Sequence, residues 1–222
     1  MTMPGHRPRA MIDLSLYLVT DRGLCGSRGL ITTVRAALQG GITALQYRAK
    51  HATLREALAE ASILASMARE YGVPFIVNDR LDLALAVEAD GLHVGQSDMP
   101  VALARRLLGP DKVLGLSITE QRDIDEMEAE MIDYVGLGPV FATATKADAS
   151  SPLGLDQFRS LRTAIDLPVV AIGGIDAAQA GPVIAAGADG IAVVSAICAA
   201  DDPQAASRNL LDRIEQVRAK GA

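Results

Sequence analysis

SLYLVTDRGLCGSRGL, residues 15–30, decides how the chain is read. It opens as a short apolar strand and then runs into glycine and charge. In an open, doubly wound α/β sheet of the dinucleotide-binding kind, the first strand feeds a G-x-G-x-x-G turn. No such fingerprint comes after residues 15–20. Instead, a pattern sets in that recurs to the end of the chain. Short β-branched runs alternate with longer Ala/Leu stretches of helical spacing. The strand candidates are 15–20, 43–48, 74–78, 91–95, 112–117, 134–140, 168–173 and 190–195, each followed by a helical stretch. Eight strand–helix units of about 25–30 residues suit an α/β fold of the closed (β/α)8 TIM-barrel type, with the open sheet as runner-up. The expected organisation is a loose N-terminal tail over 1–13 and one catalytic barrel domain over 14–222.

Local signals agree with this reading. Thr53 with Glu56, and Asp176 with Gln179, have capping-box spacing. Asp202 before Pro203 is a cap followed by a favoured first helical residue. Gly40, Gly72, Gly109 and Gly187 mark helix ends. ADGLHV (89–94) and ADGIAV (188–193) both read as a turn feeding a buried strand.

Composition narrows the function. Half of the 222 residues are apolar, mostly aliphatic, with no Trp and few Phe or Tyr. That suits helices packed on strands and argues against stacking of single-stranded nucleic acid. The net charge is -6 and basic residues form no long run, so attraction to nucleic acid or to anionic membrane is not expected. An anionic ligand would have to be held by a few local groups. Cys25 and Cys198 form no C-x-x-C pair, which fits reduced thiols and a cytoplasmic protein. No apolar run approaches the roughly 18 residues that cross a bilayer. Asp13 interrupts the stretch after Arg7 and Arg9, and no cleavage site comes after it, so no signal peptide is expected.

In parallel-strand folds chemistry gathers where the strands end. Strand two ends in QYRAK, where Gln46, Arg48 and Lys50 alternate and share a side if the strand continues. Strand three ends in Asn78 and Asp79, and Asp98 lies in the QSD after strand four. Each aspartate has a plain alternative as a helix cap. Together they form the minimum for Mg2+, which takes one or two carboxylates and completes its shell with water and phosphate oxygens. His93 reads most simply as a satisfied core histidine. Ser117 ends strand five and could equally cap a helix. Strand six runs into GPVFATATK (138–146), with Thr143, Thr145 and Lys146 heading a long Ala/Ser/Pro/Gly loop of the kind that often serves as a lid. Gly173 and Gly174 after strand seven are either a tight turn or a backbone anion cradle. Ser195 adds a hydroxyl after strand eight, next to the usual phosphate site of such barrels. One group, Arg48, Lys50, Asp79, Asp98 and Lys146, suits a diphosphate; the other, Gly174 and Ser195, suits a monophosphate.

From LYLVTD (16–21) to AADDP (199–203) the chain resembles the thiamine phosphate synthase family. QYRAK, VNDR, HVGQSD, GLSI, GPVFATATK, AIGGI and GADGIAVVSAI carry the likeness by their order and spacing. The family joins a pyrimidine diphosphate to a thiazole phosphate and releases pyrophosphate. The resemblance implies that Gln46, Arg48, Lys50, Asn78, Ser117 and Lys146 meet the pyrimidine diphosphate. It implies Asp79 and Asp98 as Mg2+ ligands, and Thr143, Thr145, Gly174, Val194 and Ser195 as thiazole phosphate contacts. Arg48, Lys50, Ser117 and Lys146 are the expected catalytic set. Ala49 stands where the family often has Glu, at a position facing away from its neighbours. The expected partners are the two small molecules alone, with neither nucleic acid nor membrane, and a homo-oligomer is compatible with the sequence. A related thiazole tautomerase would lack the two aspartates and carry a histidine before VF, where this chain has Pro139. A non-catalytic binder of thiamine precursors would not need Mg2+ ligands and Lys146 together.

Overall fold

The computed structural model describes residues 12–50, 52–143 and 151–221. Eight parallel strands close into a barrel in sequence order, β1 to β8, with β8 pairing back onto β1. They are β1 Leu16–Val19, β2 Ala44–Tyr47, β3 Phe75–Asn78, β4 Gly91–Val94, β5 Val113–Ile118, β6 Tyr134–Leu137, β7 Val169–Ile172 and β8 Gly190–Val193. The helices are α1 Leu30–Gln39, α2 Leu54–Glu70, α3 Leu81–Ala86, α4 Val101–Leu108, α5 Gln121–Glu126, α6 Gly154–Arg162, α7 Ala177–Ala185, α8 Ser195–Cys198 and α9 Pro203–Gly221. Of the expected tail, residues 1–11 lie outside the described residues.

Six strands stop earlier than the apolar runs suggest, β1, β2 and β4 by one residue each and β6, β7 and β8 for reasons that show in the chain. β6 ends at Leu137, before the Gly138–Pro139 pair, because proline has no N–H to give a ladder. β7 gives way to Gly173 at φ 102°. β8 ends at Val193, and Ser195 is the first residue of α8 rather than the last of a strand.

Two apolar regions hold the barrel. The larger fills the space between strands and helices with Leu, Val, Ile and Ala, among them Leu18, Leu45, Leu92, Leu114 and Val135. Each fully buried Leu, Ile or Val side chain contributes roughly 1.5–3 kcal/mol. The smaller lies inside the barrel and includes Tyr17, Val19, Ala44, Ile76, Tyr134, Val170 and Ala192. Strand alternation separates the two sets.

The amino ends of the strands are tied by a repeated device. Thr43, Asp90, Asp133 and Asp189 stand just before β2, β4, β6 and β8. Each side chain accepts a bond from the backbone N–H of the preceding strand: Leu16 (2.9 Å), Phe75 (2.8 Å), Leu114 (2.7 Å) and Val169 (2.8 Å). This explains the ADG echo. The aspartate reaches back one strand, and the glycine admits the next. A Cβ on Gly91 would lie 2.4 Å from the Val113 carbonyl oxygen, and one on Gly190 would lie 1.8 Å from that of Leu14. Arg105 pairs with Asp133 at 2.7 Å with both side chains nearly buried, and Arg162 pairs with Asp189 at 3.1 Å. Where β1 meets β8, Arg218 of α9 donates to Ser15 Oγ (2.6 Å) and to the Asp189 carbonyl.

The expected caps form. Thr53 and Glu56 make a capping box on α2, Asp176 and Gln179 one on α7, and Asp202 Oδ1 accepts from Ala205 N–H on α9.

Candidate active site

At the carboxyl ends of the strands a cavity of about 400 Å3 opens, within the size range of small-molecule sites. Its walls include Gln46, Arg48, Lys50, Asn78, Asp79, Asp98, Ser117, Thr143, Gly174, Val194 and Ser195. Every expected site residue within the described residues therefore lines one space. Thr145 and Lys146 lie outside the described residues.

The β2 exit is braced from β1. Thr20 N–H donates to the Gln46 carbonyl (2.9 Å), and Arg48 N–H donates to Thr20 Oγ1 (3.0 Å). The strand proper stops at Tyr47, but this bracing carries its direction far enough for Arg48 and Lys50 to reach the cavity. Tyr47 points the other way and donates to Glu60 on α2 (2.9 Å), while Ala49 packs against the outer core. A side chain at 49 thus belongs to the helix layer, as its alternation predicts.

Asp79 is not a helix cap: Arg80 occupies that position on α3. Asp79 sits at φ 60°, a left-handed conformation that Asp tolerates better than most residues. Its N–H donates to the His93 carbonyl (2.8 Å), which fixes the turn. Asp98 is not a helix cap either, because Pro100 precedes α4; its Oδ2 accepts from Gly95 N–H (2.8 Å). Both carboxylates turn into the cavity. Burial first, and the facing Asp98 second, push the Asp79 carboxyl up to about 6, while Lys50 and Arg48 pull it down. A cation between two such oxygens would relieve both costs. Among the described residues no cluster of three or more His, Cys, Asp or Glu is placed to hold a metal. A pair of hard carboxylate oxygens facing open space is the donor set that Mg2+ uses when substrate oxygens and water supply the rest.

Gly173 and Gly174 answer to the loop after β6. Both have positive φ, 102° and 63°. A Cβ on Gly173 would meet Pro139 at 2.5 Å, and one on Gly174 would meet the Ala142 carbonyl oxygen at 2.5 Å. Phe141 N–H donates to the Gly173 carbonyl (3.0 Å), so the two loops run against each other. The tight turn and the open wall are one feature, since both glycines also line the cavity.

A reading of strand ends passes over the deeper lining, above all the aromatic floor. Tyr17, Tyr134 and His93 stand one layer deeper, on the cavity floor. His93 is a satisfied core histidine, as expected, bonded at both ring nitrogens to Tyr134 and Ser117. It is also part of the site. The available signal was alternation: Tyr17 shares its face of β1 with Val19, which lines the same space.

A closed parallel barrel with its polar cavity at the strands' carboxyl ends defines the class, the (β/α)8-barrel enzymes. The family model described as thiamine monophosphate synthase matches residues 16–197, and the chain belongs to that family, an enzyme family of transferases. The thiamine-phosphate synthase of Chloroflexus aurantiacus is 54% identical over 200 residues, covering 90% of this chain and 92% of that protein. That of Moorella thermoacetica is 47% identical over 210 residues, covering 95% and 100%. Among solved structures, a thiamine phosphate pyrophosphorylase from Pyrococcus furiosus superposes with a TM-score of 0.85 at 40% identity, covering 92% of this chain and 97% of that one. No helix among the described residues is long and apolar enough to cross a membrane.

Proposed function

We propose that the chain condenses 4-amino-2-methyl-5-(diphosphooxymethyl)pyrimidine with 4-methyl-5-(2-phosphooxyethyl)thiazole, giving thiamine phosphate and pyrophosphate. The observation that carries this is the meeting of Asp79 and Asp98 with Arg48 and Lys50 around one cavity, in a chain of this family.

In the proposed reaction the C–O bond to the diphosphate breaks and its electron pair leaves with the oxygen. The resulting pyrimidine-methyl cation is spread over the amino-substituted ring. The thiazole nitrogen then gives its lone pair to that carbon, and no protein nucleophile or general base is needed. Arg48 and Lys50 hold the departing anion, and each such fixed group contributes on the order of 2–4 kcal/mol. Lys146 is assigned the same role from the sequence. Gln46, Asn78 and Ser117 orient the pyrimidine. Thr143, Thr145, Gly174, Val194 and Ser195 receive the thiazole phosphate, so that both reactants are held together. Asp79 and Asp98 would hold Mg2+, which when bound neutralises diphosphate charge as it develops.

The test is to mix both substrates with the protein, with and without Mg2+, and to measure pyrophosphate. Metal-dependent release that requires the thiazole phosphate is expected. Binding of both compounds without release would mean a binder, and proton exchange on the thiazole alone would mean a tautomerase. Lys146→Ala should lower the rate more than the affinity for the thiazole phosphate; a pure loss of affinity would reduce Lys146 to a binding group.

A further inference from the structure

The cavity floor carries a hydrogen-bonded chain of five side chains from five strands. Gln46 Nε2 donates to the Tyr17 hydroxyl at 2.9 Å. The Tyr17 and Tyr134 hydroxyls are 2.9 Å apart. Tyr134 lies 2.9 Å from His93 Nδ1, and His93 Nε2 lies 2.9 Å from Ser117 Oγ. The chain thus runs from β2 through β1, β6 and β4 to β5.

Its proton order follows from giving each buried proton an acceptor: a phenol has one proton to give, and Tyr17's hydrogen-bond partners are Gln46, which donates to it, and Tyr134. Tyr17 accepts from Gln46, so its own proton goes to Tyr134. The Tyr134 proton goes to His93 Nδ1. His93 then keeps its proton on Nε2, facing Ser117 Oγ. At one end the Ser117 proton is left for the cavity. At the other, Gln46 has turned its nitrogen to Tyr17 and keeps Oε1 as its acceptor. Desolvation raises the pKa of both phenols, so both hold their protons throughout the working pH range.

The strands are built around this row. His93, Gly115 and Tyr134 are register partners on β4, β5 and β6. A Cβ on Gly115 would lie 2.2 Å from Tyr134 Cζ and 2.5 Å from His93 Nδ1. The missing side chain at 115 is the room in which the two rings meet. Tyr17 is flanked in register by Ala44 and Ala192, which leave its ring free to cross toward Tyr134.

We infer that Tyr17 and Tyr134 are positioning residues for substrate choice: through them the floor presents an acceptor at Gln46 and a donor at Ser117, a pattern that selects an amino-substituted pyrimidine over its oxo counterpart. The inference rests on the pyrimidine reading proposed above. An aminopyrimidine edge offers an N–H donor beside a bare ring nitrogen. The oxo compound offers a carbonyl beside a ring N–H, the reverse order. To accept it, the Gln46 amide, both phenol protons and the histidine tautomer would have to turn over together. A site whose polar groups are left unmatched rejects an analogue strongly.

The experiment measures dissociation constants for the aminopyrimidine diphosphate and its 4-oxo counterpart, with Mg2+ and without thiazole, for the wild type, Tyr17→Phe and Tyr134→Phe. The wild type should prefer the amino compound by about 100-fold or more, and each variant should lose at least about 10-fold of that preference. Folded variants that weaken both compounds equally would reduce the tyrosines to packing and overturn the inference. Should neither variant fold, the wild type decides it: 15N NMR of the His93 ring should find a proton on Nε2, and a proton on Nδ1 overturns the order. A wild type that binds neither diphosphate and releases no pyrophosphate would instead overturn the functional reading, and this inference with it.

Discussion

The two ends of the barrel use the same side chain in opposite ways. At the amino end, Asp90, Asp133 and Asp189 accept from backbone amides, and two of them also pair with arginine. Each of those three charges is answered by the chain itself. At the carboxyl end, Asp79 and Asp98 face one another, and burial with this proximity holds the Asp79 proton up to about 6. There Lys50 and Arg48 offset only part of that cost, and the proposed Mg2+ would take up the rest. Carboxylates compensated by the protein contribute to stability. Carboxylates left to repel one another cost stability, a cost that the proposed Mg2+ would recover.

The contrast can be broken from either end. The largest effect is expected from Asp79→Asn, which should lower kcat by about 100- to 1,000-fold, since it removes a group that anchors transition-state charge. Unchanged turnover across a Mg2+ titration would show that Asp79 is no ligand. Next comes Asp133→Ala, which removes the buried carboxylate that answers the Arg105 charge and the Leu114 amide. Urea unfolding should show a loss of about 3–5 kcal/mol, with kcat/KM retained wherever the variant is folded. A loss of kcat with little loss of stability would erase the division between the ends. Ser195→Ala should raise KM for the thiazole phosphate about 10-fold, the share of one hydrogen bond to a charged group. If the pyrimidine diphosphate suffers instead, the two substrate halves are reversed. Smaller still, Thr43→Val should cost about 1 kcal/mol of stability and leave kinetics alone.

The finest test is pH. The folded Asp79 carboxyl sits above its ordinary 3.8, so its contribution to stability is greatest below 3.8 and is lost as pH rises through about 6. Metal-free wild type should therefore lose melting temperature relative to Asp79→Asn across that window. Parallel curves would mean that the carboxylate is not held in a costly setting.

Much of this was legible in the sequence because one rule, chemistry at the ends of parallel strands, needs only the strands to be found. The β-branched runs located all eight, and Gln46, Asp79, Asp98, Ser117 and Ser195 came with them. The errors at the ends of β6 and β8 came from treating apolar character as strand, where Pro139 and the turn into α8 decide the ladder. The aspartate pair read equally well as caps, because capping depends on φ and ψ, which residue type does not fix. The floor was missed for another reason. Tyr17 and Tyr134 look like ordinary strand aromatics, and only barrel closure brings positions 117 residues apart within a hydrogen bond. Gly115 carried the hint, a glycine inside a strand, which usually marks a close approach.

The seam between β1 and β8 joins parts of the chain that are farthest apart in sequence, and the Arg218 guanidinium bridges it through Ser15 and the Asp189 carbonyl. Mechanically the molecule is a closed tube whose last seam carries a rivet at one rim. Losing that rivet would loosen the seam first at the rim opposite the tube's mouth.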